Sequence, residues 1–146
     1  MGEEIEAKYE VRDFRALRRR LRAEGATYLG TAVESDAFFD TAQREFYHAD
    51  SAVRLRCVRM LRGVKGGRGS GWLLTAKGPR RPHPRIKLRR ETQTAVADGQ
   101  AMREILSGLG LKQFASLSKR RSSYRLGSCA IELDDVRGLG RFVEIE

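Results

Sequence analysis

The chain has 146 residues, 40% of them hydrophobic, which is enough for one modest core and too few for two folded domains. Its 29 Lys and Arg against 19 Asp and Glu leave a net charge of +10, so the natural partner is polyanionic: nucleic acid, an acidic membrane surface or a phosphorylated small molecule. No apolar run resembles a signal peptide or a membrane span, which disfavours secretion and membrane insertion and makes a cytoplasmic location the expectation.

In chain order, the pattern predicts a strand near residues 3–11, a helix from about Phe14 to Glu24, and strands near 27–40, 52–62, 71–77 and 85–96. A second helix follows from about Gly99 to Leu109, then strands near 114–126, 128–136 and 140–146. A shift of 85 positions aligns Glu6, Val11, Asp13, Leu17, Leu21 and Gly25 with Glu91, Val96, Asp98, Met102, Leu106 and Gly110. Each copy reads as a strand, a capping Asp, a helix with apolar residues at helical spacing, and a Gly where the helix stops. Cys57 and Cys129 form no CxxC, and neither His48 nor His83 has a Cys or His at ligand spacing, so zinc and disulfide frameworks are disfavoured.

Strand after strand, one face is apolar and the other charged, and the charged faces hold like-signed residues two apart. The acidic pairs are Glu4/Glu6, Glu132/Asp134 and Glu144/Glu146; the basic pairs are Arg54/Arg56, Lys87/Arg89 and Lys119/Arg121. Like charges side by side repel, so something of opposite charge is expected between them. Closing the sheet with these faces inward gives an α+β fold: an eight-stranded antiparallel β-barrel with a charged interior and helices packed outside. The carboxylates supply hard oxygen ligands suited to Mg²⁺ or Mn²⁺, and the Arg and Lys wall suits phosphate oxygens. Eight bases against seven acids leave little excess charge, so a bare polyanion is expected to bind poorly without metal.

The opening Glu4-Ile5-Glu6-Ala7-Lys8 resembles the ExExK signature of the CYTH superfamily of triphosphate tunnel metalloenzymes. The likeness continues through Asp36-x-Phe38-Phe39-Asp40, Arg54-Leu55-Arg56, Leu74-Thr75-Ala76-Lys77-Gly78-Pro79, Arg89-x-Glu91, Lys119-x-Arg121 with Tyr124, Glu132-x-Asp134 and Glu144-x-Glu146. It spans 1–146 as a single domain and is strongest toward the class IV adenylyl cyclase-like branch. It implies a metal side of Glu4, Glu6, Glu132, Asp134, Glu144 and Glu146. It also implies a phosphate side of Lys8, Arg54, Arg56, Lys77, Lys87, Arg89, Lys119 and Arg121, with Lys8, Arg56 and Lys77 as the catalytic residues.

The implied reaction is Mg²⁺- or Mn²⁺-dependent cyclisation of ATP to cyclic AMP and pyrophosphate. The alternatives are hydrolysis of tripolyphosphate, a nucleoside triphosphate or thiamine triphosphate, and a binding module without turnover for polyphosphate or RNA ends. A triphosphate-bearing small molecule is the expected partner; a nucleic acid and a membrane are not, and the oligomeric state, a homodimer included, is left open. Three departures from the family pattern stand out. Phe38 and Phe39 replace tyrosines that work with the strand Lys in some triphosphatases, Gln93 replaces a second carboxylate, and the chain stops at Glu146, where relatives continue with a helix and a short segment. The last departure implies a missing C-terminal segment or a reduced tunnel cover.

Overall fold

Period-two alternation over eight segments closes into a barrel in the computed structural model, which describes residues 2–146 and so leaves Met1 of the expected domain outside. The elements are β1 (Gly2–Glu10), α1 (Phe14–Ala23), β2 (Thr27–Asp40), α2 (Glu45–His48), β3 (Ala52–Gly63), β4 (Gly71–Arg81), β5 (Lys87–Val96), α3 (Gly99–Gly108), β6 (Lys112–Leu126), β7 (Cys129–Val136) and β8 (Gly140–Ile145). Around the barrel the order is β1-β5-β4-β3-β2-β6-β7-β8, with every neighbour antiparallel.

The apolar faces point outward and form the core there, in two patches each covered by a helix. Phe14 and Leu21 of α1 bury against Ile131, Leu133 and Val143; Leu106 of α3 buries against Ala37, Phe39 and Leu55. The 85-residue repeat is thus two strand–helix–strand units whose strands pair with each other, β1 with β5 and β2 with β6, and whose helices cover the two separate patches. Both helices begin on an Asp cap, Asp13 accepting from the Arg15 N–H at 2.8 Å and Asp98 from the Ala101 N–H at 2.9 Å. Both end at a left-handed glycine, Gly25 (φ +80°) and Gly110 (φ +88°). The strand pairing repeats as well, since shifting by 85 exchanges the pair Gly2–Glu91 with Glu6–Lys87, and the pair Thr27–Arg125 with Asp40–Lys112.

Two features differ from expectation. β4 runs past the Gly78-Pro79 turn signal to Arg81, because both residues fall in a register shift between Lys77 and Arg80, where proline's missing N–H costs no ladder bond. The short α2 has no periodic signal; it is held by buried Asp40, whose carboxylate accepts from the backbone N–H of Thr41, Phe46 and Tyr47 at 2.7, 3.0 and 3.0 Å.

A Cβ on Gly99 would fall inside the indole of Trp72, whereas one on Gly108, on the same helix, meets nothing within 4 Å. Gly99→Ala is therefore expected to destabilise the fold by about 1–3 kcal/mol through overpacking, while Gly108→Ala leaves it unchanged or raises it by up to about 1 kcal/mol. Thermal or urea unfolding of both variants checks this.

Candidate active site

The alternation that builds the outer core leaves the inner wall to charge. Inward from β2 come Glu34 and Asp36, from β3 Arg54 and Arg56, from β6 Lys119 and Arg121, from β7 Glu132 and Asp134, and from β8 Glu144. Glu34, Asp36, Arg56, Lys119, Arg121, Glu132, Asp134 and Glu144 are all buried. Charges in that position persist only with partners. Arg56 grips Asp36 with a two-pronged contact, Nε to Oδ1 at 2.6 Å and Nη2 to Oδ2 at 2.7 Å, and its Nη1 lies 2.8 Å from Glu34. Arg121 grips Asp134 in the same way, at 2.7 and 2.6 Å, and also bonds Glu144. Lys119 reaches Asp134 at 2.8 Å; Lys8 reaches Glu144 at 2.6 Å.

The two halves of the barrel make these contacts with reversed sign. Asp36 and Arg121 stand 85 positions apart, so the Asp36–Arg56 pair of one half occupies the place of the Arg121–Asp134 pair in the other. Gln93 stands 85 positions after Lys8. Its Oε1 accepts from Thr75 at 3.0 Å in the place where Lys8 meets Glu144. By the same correspondence, Lys77 faces Glu91 across β4 and β5 at 2.9 Å, and its counterpart is Glu146, one step beyond the Ala7–Ile145 pair, facing Glu6. Where one half has a lysine between carboxylates, the other has a third carboxylate.

That exchange creates an acidic centre. Glu4, Glu6 and Glu146 each place a carboxylate oxygen within 4.8 Å of the others. Burial raises the Glu6 pKa, and the Glu144 and Glu4 charges raise it further; Glu146 is raised by burial and then by Glu4 and Glu6. Lys77 bonds Glu4 at 2.6 Å and Lys87 stands 3.7 Å from Glu6, so the centre keeps surplus negative charge. Glu144 is the opposite case: burial works against its ionisation, but Arg121, Lys119 and Lys8 pull it down to about 2.

Of the six carboxylates expected on the metal side, the structure brings together Glu4, Glu6 and Glu146, and gives the other three to protein partners: Asp134 to Lys119 and Arg121, Glu144 to Lys8 and Arg121, Glu132 to Ser123. Of the eight expected bases, Lys8, Arg54, Arg56, Lys77, Lys119 and Arg121 line the interior. Arg89 spends its guanidinium on the carbonyls of Gly78 and Asp50, at 2.8 and 2.9 Å, and Lys87 is half-exposed at the rim. Arg54 is the least satisfied base: its side chain is 12% exposed, its Nε has no hydrogen-bond partner among the described residues, and Asp36 lies 4.0 Å away. Burial, then the Arg56 charge, lowers its pKa.

Sequence reasoning missed Glu34, which Arg56, Arg68, Lys119 and Arg121 all approach, and it left Asp36 as a motif residue without a charge role. The alternation Glu34-Ser35-Asp36 was the available signal. With Glu34, Asp36 and Glu91 inside, nine interior carboxylates face six interior bases, rather than seven facing eight.

The CYTH domain family pattern matches residues 2–146. MJ0240 of Methanocaldococcus jannaschii, which carries a provisional adenylate cyclase name, is 28% identical over 143 residues, covering 98% of this chain and 75% of its own. Adenylate cyclase CyaB of Aeromonas hydrophila is 27% identical over 143 residues, covering 97% and 67%. Among solved structures, HpAC1 of Hippeastrum, described as an adenylyl cyclase candidate with a dominant triphosphatase activity, superposes with a TM-score of 0.73 at 20% identity over 97% of this chain and 77% of that one. A closed barrel with paired interior charges, matched in order along its whole described length, makes this chain a member of the CYTH domain family.

Proposed function

We propose that the chain is a metal-dependent enzyme that takes a nucleoside triphosphate into the barrel and converts ATP to cyclic AMP and pyrophosphate. The observation that carries this reading is the Glu4, Glu6 and Glu146 centre, three converging carboxylates with only Lys77 and Lys87 beside them, in an interior whose other charges are mostly paired. Hard carboxylate oxygens fit Mg²⁺ or Mn²⁺, the raised pKa values of Glu6 and Glu146 mark the crowding a cation would relieve, and the three residues Glu4, Glu6 and Glu146 would hold the ion. Bound there, such an ion supplies Lewis-acid polarisation of a phosphoryl oxygen and lowers the pKa of a ribose hydroxyl.

The protein's own groups do the rest. Arg54, with an unused Nε, is the group best placed to donate to a phosphate oxygen, and Lys8, one-third exposed, is the next. Lys77, bonded to Glu4, is the base at the edge of the acidic centre and neutralises charge building on the leaving pyrophosphate. Arg56 and Arg121 act chiefly as positioning residues, since Asp36 and Asp134 hold their forks rigid. The adenylate cyclase names of the two relatives support cyclisation over other triphosphate chemistry. Hydrolysis is the second reading, favoured by the description of HpAC1. A tyrosine–lysine version of it has no tyrosine here, because Phe38 and Phe39 occupy that block and Phe39 is buried under α3.

Incubation with ATP, tripolyphosphate or thiamine triphosphate, each with Mg²⁺ or Mn²⁺, is expected to give cyclic AMP and pyrophosphate from ATP. Phosphate release without cyclic AMP would establish the hydrolase reading, and no turnover of any substrate with either metal would overturn both. Because interior acids outnumber bases, calorimetry in excess chelator is expected to show tripolyphosphate binding at least tenfold weaker than with Mn²⁺.

Glu6→Gln is expected to abolish turnover and weaken Mn²⁺ binding while holding or raising the melting temperature of the metal-free protein. Glu144→Gln is expected to cost about 3 kcal/mol of stability at pH 7, because buried Arg121 loses one of its two hydrogen-bonded carboxylates and the partly exposed Lys8 loses its partner. Calorimetry and thermal unfolding of the two variants separate these roles. The pH signs also differ. The Glu144 contribution is present above pH 4.5 and lost as pH falls toward 2. The raised Glu6 and Glu146 values stabilise the metal-free fold at low pH, and that stability is lost as pH rises through them. Mn²⁺ affinity is accordingly expected to begin falling above pH 4.5 on acidification, as a titration series from pH 7 to 5 would show.

A further inference from the structure

Because the barrel interior carries no positive excess, the whole net charge of +10 lies on the outer surface. Much of it gathers in one place. Two adjoining grooves, each about 670 Å³, run between α1 and the outer wall of the barrel and share Arg18, Arg22, Arg120 and Ser122. Arg15 and Arg19 of α1 and Arg62 of β3 complete a set of six arginines, none of which has a carboxylate at ion-pair distance among the described residues. The two acids in the grooves are already committed, Asp13 to the Arg15 backbone and Asp135 to Arg141 at 3.4 Å. Along α1, arginines at 15, 18, 19 and 22 stand three and four residues apart on neighbouring turns, and no acidic residue occupies the first turn. Such neighbours repel, and no carboxylate among the described residues offsets it; Arg18 has only the Phe14 ring, 5.6 Å away. These groups are separate from the tunnel: Arg121 points into the barrel and its neighbour Arg120 points out.

We propose that this outer groove is a second anion site that holds the sugar–phosphate backbone of a single-stranded nucleic acid. Guanidinium forks match the two free oxygens of a phosphodiester. Arginines on successive helical turns are about 5–6 Å apart at Cβ, an interval of the same order as that between phosphates on an extended nucleotide strand and wider than that in inorganic polyphosphate. The groove also offers apolar surface that a chain of bare phosphates has no use for: Leu61 is 43% exposed beside Arg62, and the half-buried rings of Tyr28 and Tyr124 stand 5.4 Å apart in the same wall. Bases can cover these faces. Its concave floor does not suit a flat bilayer.

The test is fluorescence anisotropy with a labelled 12-nucleotide mixed-sequence RNA carrying no 5′-triphosphate. Arg18→Gln/Arg22→Gln/Arg120→Gln is expected to weaken binding at least tenfold and to flatten the salt dependence by about 2, at roughly 0.7 per lost phosphate contact. Its melting temperature is expected to be unchanged; should the triple variant fail to fold, Arg120→Gln alone is expected to weaken binding about threefold. Leu61→Ala is expected to weaken RNA but not inorganic polyphosphate, and the tunnel variant Arg54→Ala to leave RNA affinity unchanged whatever becomes of turnover. Unchanged affinity in the folded triple variant and in Arg120→Gln would overturn the proposal. So would loss of RNA binding in Arg54→Ala, equal displacement by polyphosphate of the same phosphate number, or tighter binding to phosphatidylserine vesicles than to RNA.

Discussion

Turning the charged face of every strand inward obliges the barrel to match each buried charge with another, and this matching organises the molecule. A carboxylate or guanidinium buried alone costs several kcal/mol, so the wall is stable only as a connected set. The two-pronged contacts Asp36–Arg56 and Arg121–Asp134 anchor that set on either side of the β2–β6 pair, and Glu34, approached by four bases, ties β2 to β3 and β6. The apolar residues do their packing elsewhere, under α1 and α3 on the outer surface. Helices and outer core hold the shape while the inner wall carries the chemistry.

The repeat within the chain explains how such a wall acquires a functional centre. Two copies of one strand–helix–strand unit, joined with reversed charges, neutralise each other at most positions. One position breaks the rule: Lys77 sits between Glu4 and Glu91, whereas the corresponding Glu146 meets Glu6 with no base to take its place. The acidic centre is thus what remains where the reversal of sign fails. A divalent cation there would do for Glu6 and Glu146 what Lys77 does for Glu91. The same arithmetic leaves all net positive charge outside the barrel, which is why the α1 arginines have no carboxylate partners among the described residues.

The barrel, both long helices with their Asp caps and Gly stops, and the inward direction of the charges were legible from periodicity and the 85-residue shift. Within the site, the residues that could be read were those in like-signed pairs. Pairing itself could not be read. Glu132/Asp134 and Glu4/Glu6 look alike as sequence, yet Asp134 meets Arg121 across one ladder while Glu6 meets Glu146 across another, and only barrel closure decides which. The opposite charge expected between like-signed pairs is for the most part the protein's own. Arg89 was misleading for a similar reason, since its register faces the interior but its fork reaches loop carbonyls at the barrel end. Asp40 holds α2 through backbone contacts that leave no periodic trace.

The central claim is that the surplus negative charge of the interior gathers at Glu4, Glu6 and Glu146, and that this centre binds the metal. Anomalous diffraction from crystals grown with Mn²⁺ tests it directly. The account requires an anomalous peak within coordination distance of carboxylate oxygens of all three residues, with the Arg121–Asp134 and Lys8–Glu144 contacts intact. A peak on Asp134 or Glu144 with those contacts broken would contradict it.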